Sequence, residues 1–403
     1  MVSVSRRSRG YLSIVFVLVL LVTGCASPHT KALRQYAAGD PAQAEGTLEP
    51  LLAKKDKNAV LYLLDIGMFR FAQGNCMYSN KAWMKSGELA DYEPGALETG
   101  LELFKSDAKK RFIGDPVEHS MAFLCVGLGY YMMKDYENAT VAFKKSLEWD
   151  YSGDVERQGD MVITNLMLGE CFARNGESDQ AIVAYRKALR GNREFVPAYV
   201  GLCRELEKTG ETLEAEKQYA ELRSLVTEDY SNALDRCQEG VLVIIMSGSV
   251  PKVKKDAFVG AFRQRSEVST PINDWLIEWG DDPDALEASH GDAMITHLKD
   301  QGGVTGQAIR KGAQVCAREC LPLGRLLIPS TEADVRYWST LPGDVYVAYV
   351  PLEPGLHTIR ATARNKNGDS LDNYRQTWHY IPVAEGENTP LVIISHNNLQ
   401  KLM

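Results

Sequence analysis

The sequence predicts an α+β chain: an all-α stack of helical repeats over residues 31–232, then a smaller mixed α/β domain, 233–403, that ends in antiparallel β-structure. Three observations predict it. Apolar residues recur at helical spacing from about residue 31 to 228, broken by polar turns. The same small and aromatic residues return at intervals through that stretch. Near residue 230 the texture changes to short β-branched runs, the first at 241–246, bounded by Ser247, Gly248 and Ser249.

The repeats are clearest in three units. Phe123, Gly127, Tyr130, Ala139 and Phe143 form one; Leu168, Gly169, Phe172, Ala181, Tyr185 and Ala188 the next; Leu202, Cys203, Leu206, Ala215 and Tyr219 the third. Aligned on their alanines, the second and third lie 34 residues apart and the first and second 42, the excess falling in polar 151–160. The pattern resembles the tetratricopeptide repeat, a helix-turn-helix unit. Gly127, Gly169, Ala139 and Ala181 fall where paired helices cross, and a larger side chain would push them apart. Asp135-Tyr136 and Asn175-Gly176 supply turns. Two weaker units precede, through Leu33, Tyr36, Gly39, Ala44 and Leu48, and through Leu63, Ile66, Gly67, Phe71, Gly74 and Trp83. An extra helix is expected at about 96–112. The sum is five helix pairs with insertions, stacked as a right-handed solenoid.

That resemblance implies a concave groove lined by the first helix of each pair. The matching positions give a candidate partner-binding set: Leu64, Met68, Phe71, Leu124, Leu128 and Tyr131 in an apolar half, and Arg174, Arg204 and Lys208 in a charged half. Two readings stay open. An open groove would take a segment with hydrophobic anchors and a largely acidic flank. Alternatively the 96–112 helix or the C-terminal domain fills the apolar half, since an exposed strip this apolar invites association.

The first 24 residues read as a leader. Arg6, Arg7 and Arg9 precede an apolar run from 11 to 22, short for a membrane span of roughly 20 residues but suited to a signal peptide. Val22-Thr23-Gly24-Cys25 resembles the bacterial lipobox, with Val22 in place of the usual leucine. The resemblance implies lipid on Cys25, a tether over 25–30 and a place in the cell envelope. The absence of Asp at position 26 favours the outer membrane of a Gram-negative cell, facing the periplasm.

Composition narrows the partner. The chain has 403 residues, 45% hydrophobic and 24% charged, enough for two domains with a sizeable core. Its formal net charge is −8, and the leader holds three arginines and no acid, leaving −11 beyond it. That sign disfavours nucleic acid, which needs a basic face, and adsorption to anionic lipid, so any membrane contact falls to the lipid on Cys25. Seven of the eight cysteines remain once Cys25 is set aside. Their scatter is no disulfide framework. Cys125, Cys171 and Cys203 suit small buried hydrophobes, while a bridge between Cys316 and Cys320 would strain a helix.

The second half is read as strand 241–246, a mixed stretch 251–288, mostly helix over 289–318, and strands at 345–350, 357–363, 376–383 and 391–395, with a hairpin turn at Asn367-Gly368. Two stretches then carry a further resemblance: Gly114-Asp115-Pro116-Val117-Glu118-His119 with the repeat that follows, and Ala333-Asp334-Val335-Arg336-Tyr337-Trp338-Ser339-Thr340-Leu341-Pro342. Together they are similar to a family of bacterial lipoproteins with tetratricopeptide repeats. The resemblance implies an association with envelope assembly, including proteins that act on peptidoglycan synthases, and no activity.

No local motif carries chemistry, so no catalytic residue, metal or cofactor is expected. His290 and His297 with Asp292 or Asp300 lack a metal-ligand pattern. Ser247-Gly248-Ser249 follows a strand without the helix that displays a nucleophile. Asp281, Asp282 and Asp284 read as solvated charge, and Trp275, Trp279, Trp338 and Trp378 as sheet core. The expected role is a protein-binding scaffold or assembly factor. The alternatives are a hydrolase or glycan-processing role in the C-terminal domain, and a self-assembling envelope component.

Overall fold

The computed structural model describes residues 27–54, 56–91, 109–150, 161–250, 252–255, 263–265, 271–280, 284–293, 334–386 and 388–394. Cys25 and the leader, the expected helix 96–112 up to residue 108, Asp281, Asp282, His297, Asp300, Cys316 and Cys320 lie outside them.

Among the described residues the helices lie in the first half and the strands in the second, giving the α+β chain. Five helix pairs follow in order: α1 (Pro28–Ala37) with α2 (Pro41–Leu48), α3 (Ala59–Ala72) with α4 (Cys76–Ala90), α5 (Pro116–Met132) with α6 (Tyr136–Trp149), α7 (Val162–Arg174) with α8 (Ser178–Gly191), and α9 (Val196–Thr209) with α10 (Thr212–Leu225). Each helix packs against the next. A shorter helix, α11 (Glu228–Arg236), ends the series. Caps fix the starts. Asp40 accepts from Gln43 N, Asp135 from Asn138 N and Thr227 from Tyr230 N. A capping box of Asp115 and Glu118, with Pro116 in the first turn, starts α5. Gly210, at φ 81°, ends α9 in the left-handed conformation.

The small residues act as their spacing predicts. A Cβ on Gly127 would stand 2.3 Å from the Phe143 ring, one on Gly169 2.5 Å from Tyr185, and one on Gly67 2.2 Å from Trp83. Ala139 and Ala181 are fully buried, as are Cys125, Cys171 and Cys203, which carry no disulfide.

Among the described residues the strands form two four-stranded sheets and a ribbon. β1 (Gly240–Ser247), β6 (Ser289–Ala293), β7 (Asp344–Pro351) and β10 (Asn388–Ile394) make the first, in the order β10-β1-β7-β6. β4 (Asp274–Trp279), β5 (Asp284–Glu287), β8 (Gly355–Arg364) and β9 (Ser370–Val383) make the second, β5-β4-β8-β9. The ribbon pairs β2 (Val253–Lys255) with β3 (Arg263–Arg265). Every residue of β1 is buried, and β7 is buried from Val345 to Pro351. Helices cover one side: Tyr230 of α11 donates to the Tyr349 carbonyl at 2.6 Å. The second sheet also meets the first, with Trp275 Nε1 donating to Ser247 Oγ at 3.3 Å and Tyr346 Oη to the Asn273 carbonyl at 3.2 Å. One buried cluster runs unbroken from the helices into both sheets.

Three expectations for this half are corrected. Residues 289–293 are strand β6, not helix: His290 pairs with Tyr346, and Asp292 turns to α7 and accepts from Val162 N at 3.0 Å and Ile163 N at 2.8 Å. The last strand, β10, runs parallel to β1, so the C-terminal β-structure is mixed rather than antiparallel. Strands 357–363 and 376–383 do not join strand 241–246 in one sheet: β8 pairs with β4, and β9 pairs with β8 at the sheet's edge.

Candidate binding cleft

The candidate groove positions fall into two settings. Along its apolar half Leu64, Met68, Phe71, Leu124, Leu128 and Tyr131 are all buried, none more than 6% exposed. Segment 334–341, just before β7, lies across α3 and α5. Trp338 N donates to Glu118 Oε1 at 2.7 Å, while Glu118 Oε2 accepts from Asp115 N. The capping carboxylate of α5 therefore also anchors this strap. Trp338 Nε1 donates to Thr340 Oγ1 at 2.6 Å, and Thr340 donates to Asp65 Oδ1 at 2.8 Å. His29 of α1 holds the other Asp65 oxygen at 2.7 Å. The Trp338 ring meets Trp83 at 6.4 Å. Arg336 reaches Asn58 Oδ1 and the Lys110 carbonyl, with its guanidinium 5.4 Å from the centre of the Phe112 ring. The two stretches singled out in the sequence, 114–119 and 333–342, thus meet. Through this segment the C-terminal half packs onto α3 and α5 at Asp65 and Glu118.

The other half stays open as a polar cleft of about 930 Å³ between α7, α9, α10, α11 and the edge of the first sheet. Arg174, Arg204 and Lys208 line it. Arg174 Nη1 donates to the Gly386 carbonyl at 3.0 Å. Arg204 Nη2 donates to the Cys237 carbonyl at 3.2 Å, and its guanidinium lies 4.7 Å from the centre of the Tyr349 ring. Among the described residues neither guanidinium forms an ion pair with a carboxylate; those within the cleft are Lys208 with Glu205 at 3.5 Å and Arg223 with Asp235 at 3.3 Å. Glu170 is buried and held by Tyr185 Oη at 2.9 Å and, more loosely, by Tyr131 Oη and Asn388 Nδ2, both at 3.4 Å.

Electrostatics in the cleft are strong because its floor is shielded from water. Burial pushes the Tyr349 hydroxyl up to about 12, against the pull of Arg204. Burial by itself would lower Arg204, but Tyr349 and Glu170 outweigh it and hold the guanidinium above its ordinary value. Both arginines stay charged, as guanidinium does in proteins.

Arg174, Arg204 and Lys208 were legible as first-helix groove positions. Their partners Tyr349, Cys237, Gly386 and Asn388 come from the strand half or its approach, where no local pattern marks them. The remaining candidates fall elsewhere. His290 bonds to Asp344 at 3.1 Å. Trp275, Trp279 and Trp338 are buried and Trp378 is half-buried. Among the described residues no group of three or more His, Cys, Asp or Glu is placed to hold a metal ion, and no helix is long and apolar enough to cross a membrane.

No family model matches the chain, and no curated protein matches it. Solved structures similar to it include the crystal structure of MamA, at 19% identity over 48% of this chain and 92% of that one, with a TM-score of 0.35. Another is MamA 41-end from Desulfovibrio magneticus RS-1, at 14% identity over 49% and 92%, with a TM-score of 0.35. Each likeness spans about half of this chain.

Proposed function

We propose that this chain is a lipid-anchored envelope scaffold that captures a protein partner, with a segment of the partner seated in the polar cleft rather than along the apolar half of the groove. One observation carries the reading. Segment 334–341 of the C-terminal half bonds to Glu118 and Asp65 on the helices beside the apolar positions, while an open, charge-lined cleft remains where the two halves meet. Ligand sites favour such junctions, and about 300–1,000 Å³ suits a few residues or a small molecule. The work is recognition rather than turnover. The anchor is Cys25, with the protein on the outer membrane facing the periplasm.

Two experiments test it. Cys25→Ser is expected to release the protein from membranes; unchanged retention would remove the anchor. Lys208→Glu with Arg223→Glu reverses two exposed charges at the cleft rim and is expected to abolish partner capture from native envelopes with helical content unchanged. Undiminished capture would move recognition off the cleft.

A further inference from the structure

The charges that line the cleft are only partly matched within it. Arg174 and Arg204 each donate to a backbone carbonyl, Arg174 also engages the Tyr131 side chain and Arg204 that of Tyr349, and the buried Glu170 acts on both, but no carboxylate closes to an ion pair with either among the described residues. Guanidinium presents five donors in a fork matched to carboxylate, so several remain to be used. On the same lining, Glu205 is only 7% exposed, and its Oε2 is buried without a hydrogen-bond partner. Its other oxygen lies 3.5 Å from Lys208 Nζ, a side chain 54% exposed to water. A buried carboxylate oxygen left unmet is costly, and native proteins rarely retain one without a use.

A simple anion would answer the arginines but add negative charge beside Glu205 and Glu170. A simple cation would do the reverse. We infer that the cleft takes a short zwitterionic ligand carrying one carboxylate and one ammonium, such as an acidic–basic peptide segment, with its carboxylate on Arg174 and Arg204 and its ammonium on Glu205. The inference rests on the cleft being the recognition surface and names the chemistry recognised there.

The test is calorimetric titration of the full chain with three probes of matched length: ε-aminocaproate, caproate and hexylamine. ε-Aminocaproate is expected to bind at least about tenfold more tightly than either singly charged probe, about 1.4 kcal/mol. Arg174→Gln is expected to weaken ε-aminocaproate and caproate about tenfold and leave hexylamine unchanged, as loss of a charge-assisted contact should. Glu205→Gln is expected to weaken ε-aminocaproate and hexylamine and spare caproate. Melting curves check that each variant folds; where Arg174→Gln does not, Arg174→Lys keeps the charge, loses the fork, and should still weaken caproate. Caproate binding as tightly as ε-aminocaproate, Glu205→Gln without effect, or no saturable heat from any probe would overturn the inference. Capture lost in the Lys208→Glu, Arg223→Glu variant without zwitterion binding would sink this ligand assignment alone. Capture that persists there would sink the reading beneath it.

Discussion

Thr340→Val isolates the contact by which the C-terminal half holds α3. The threonine hydroxyl donates to Asp65 at 2.8 Å and accepts from the Trp338 indole at 2.6 Å. Thr340 is 5% exposed, and Asp65 and Trp338 are fully buried. Valine keeps the volume and removes the hydroxyl. A hydrogen bond to a charged group is worth about 1.5–3 kcal/mol, and a buried indole N–H left unmet costs about 1–3 kcal/mol, so the expected loss is about 3–5 kcal/mol. Asp65 retains His29 at 2.7 Å, which limits the damage to the strap. Guanidinium denaturation of the full chain reads the loss as a lower midpoint. Limited proteolysis reads local opening as new cleavage within 334–341. Thr340→Ser keeps both bonds and should stay within about 1 kcal/mol of the parent. A valine variant within about 0.5 kcal/mol of the parent, with no new cleavage, would refute the reasoning.

Further outcomes follow from the same packing. Gly127→Ala, whose Cβ would sit 2.3 Å from Phe143, should lose about 1–3 kcal/mol in denaturant melts, whereas Gly46→Ala, with open space around an exposed position inside α2, should gain about 0.5–1 kcal/mol. His119 is buried, 2.6 Å from the Ile113 carbonyl and stacked 4.6 Å from Trp149. Burial lowers its pKa, and the Ile113 bond opposes this in part. The unfolded chain therefore takes up this proton at higher pH than the folded one. Stability should be full above about pH 6.5 and fall as pH drops through and below it, and His119→Phe should flatten that part of a melting-temperature profile. A chain ending at residue 236 loses the strap, exposes Leu64, Met68, Leu124 and Leu128, and should self-associate by light scattering, where the full chain stays monodisperse.

The helical half was legible because its geometry demands particular residues. A glycine packed against Phe143 or Tyr185 leaves a periodic mark that survives without any partner in view. Strands β1 and β7 were legible from β-branched runs buried on both sides. Strand β6 was not: its Asp292 looks polar and local, and only its bond to the start of α7 gives it a place. The parallel seating of β10 beside β1 is likewise set by distant pairing. Asp65 is the one missed clue to this contact between the halves, a lone carboxylate in the apolar run of α3 that must find donors once buried. Its donors, His29 and Thr340, lie 36 and 275 residues away. In the site, Arg174, Arg204 and Lys208 follow from repeat register, whereas Tyr349 and Cys237 depend on how the two halves dock.

Hydrogen–deuterium exchange of the lipidated full chain, alone and with its captured partner, tests the central claim most directly. The cleft reading predicts that the partner slows exchange in α9, α10 and residues 237–239 and leaves α3 and α5 unchanged, because the strap already covers them. Slowed exchange confined to α3 and α5, or to the outer faces of α6 and α8, with the cleft unaffected, would contradict it.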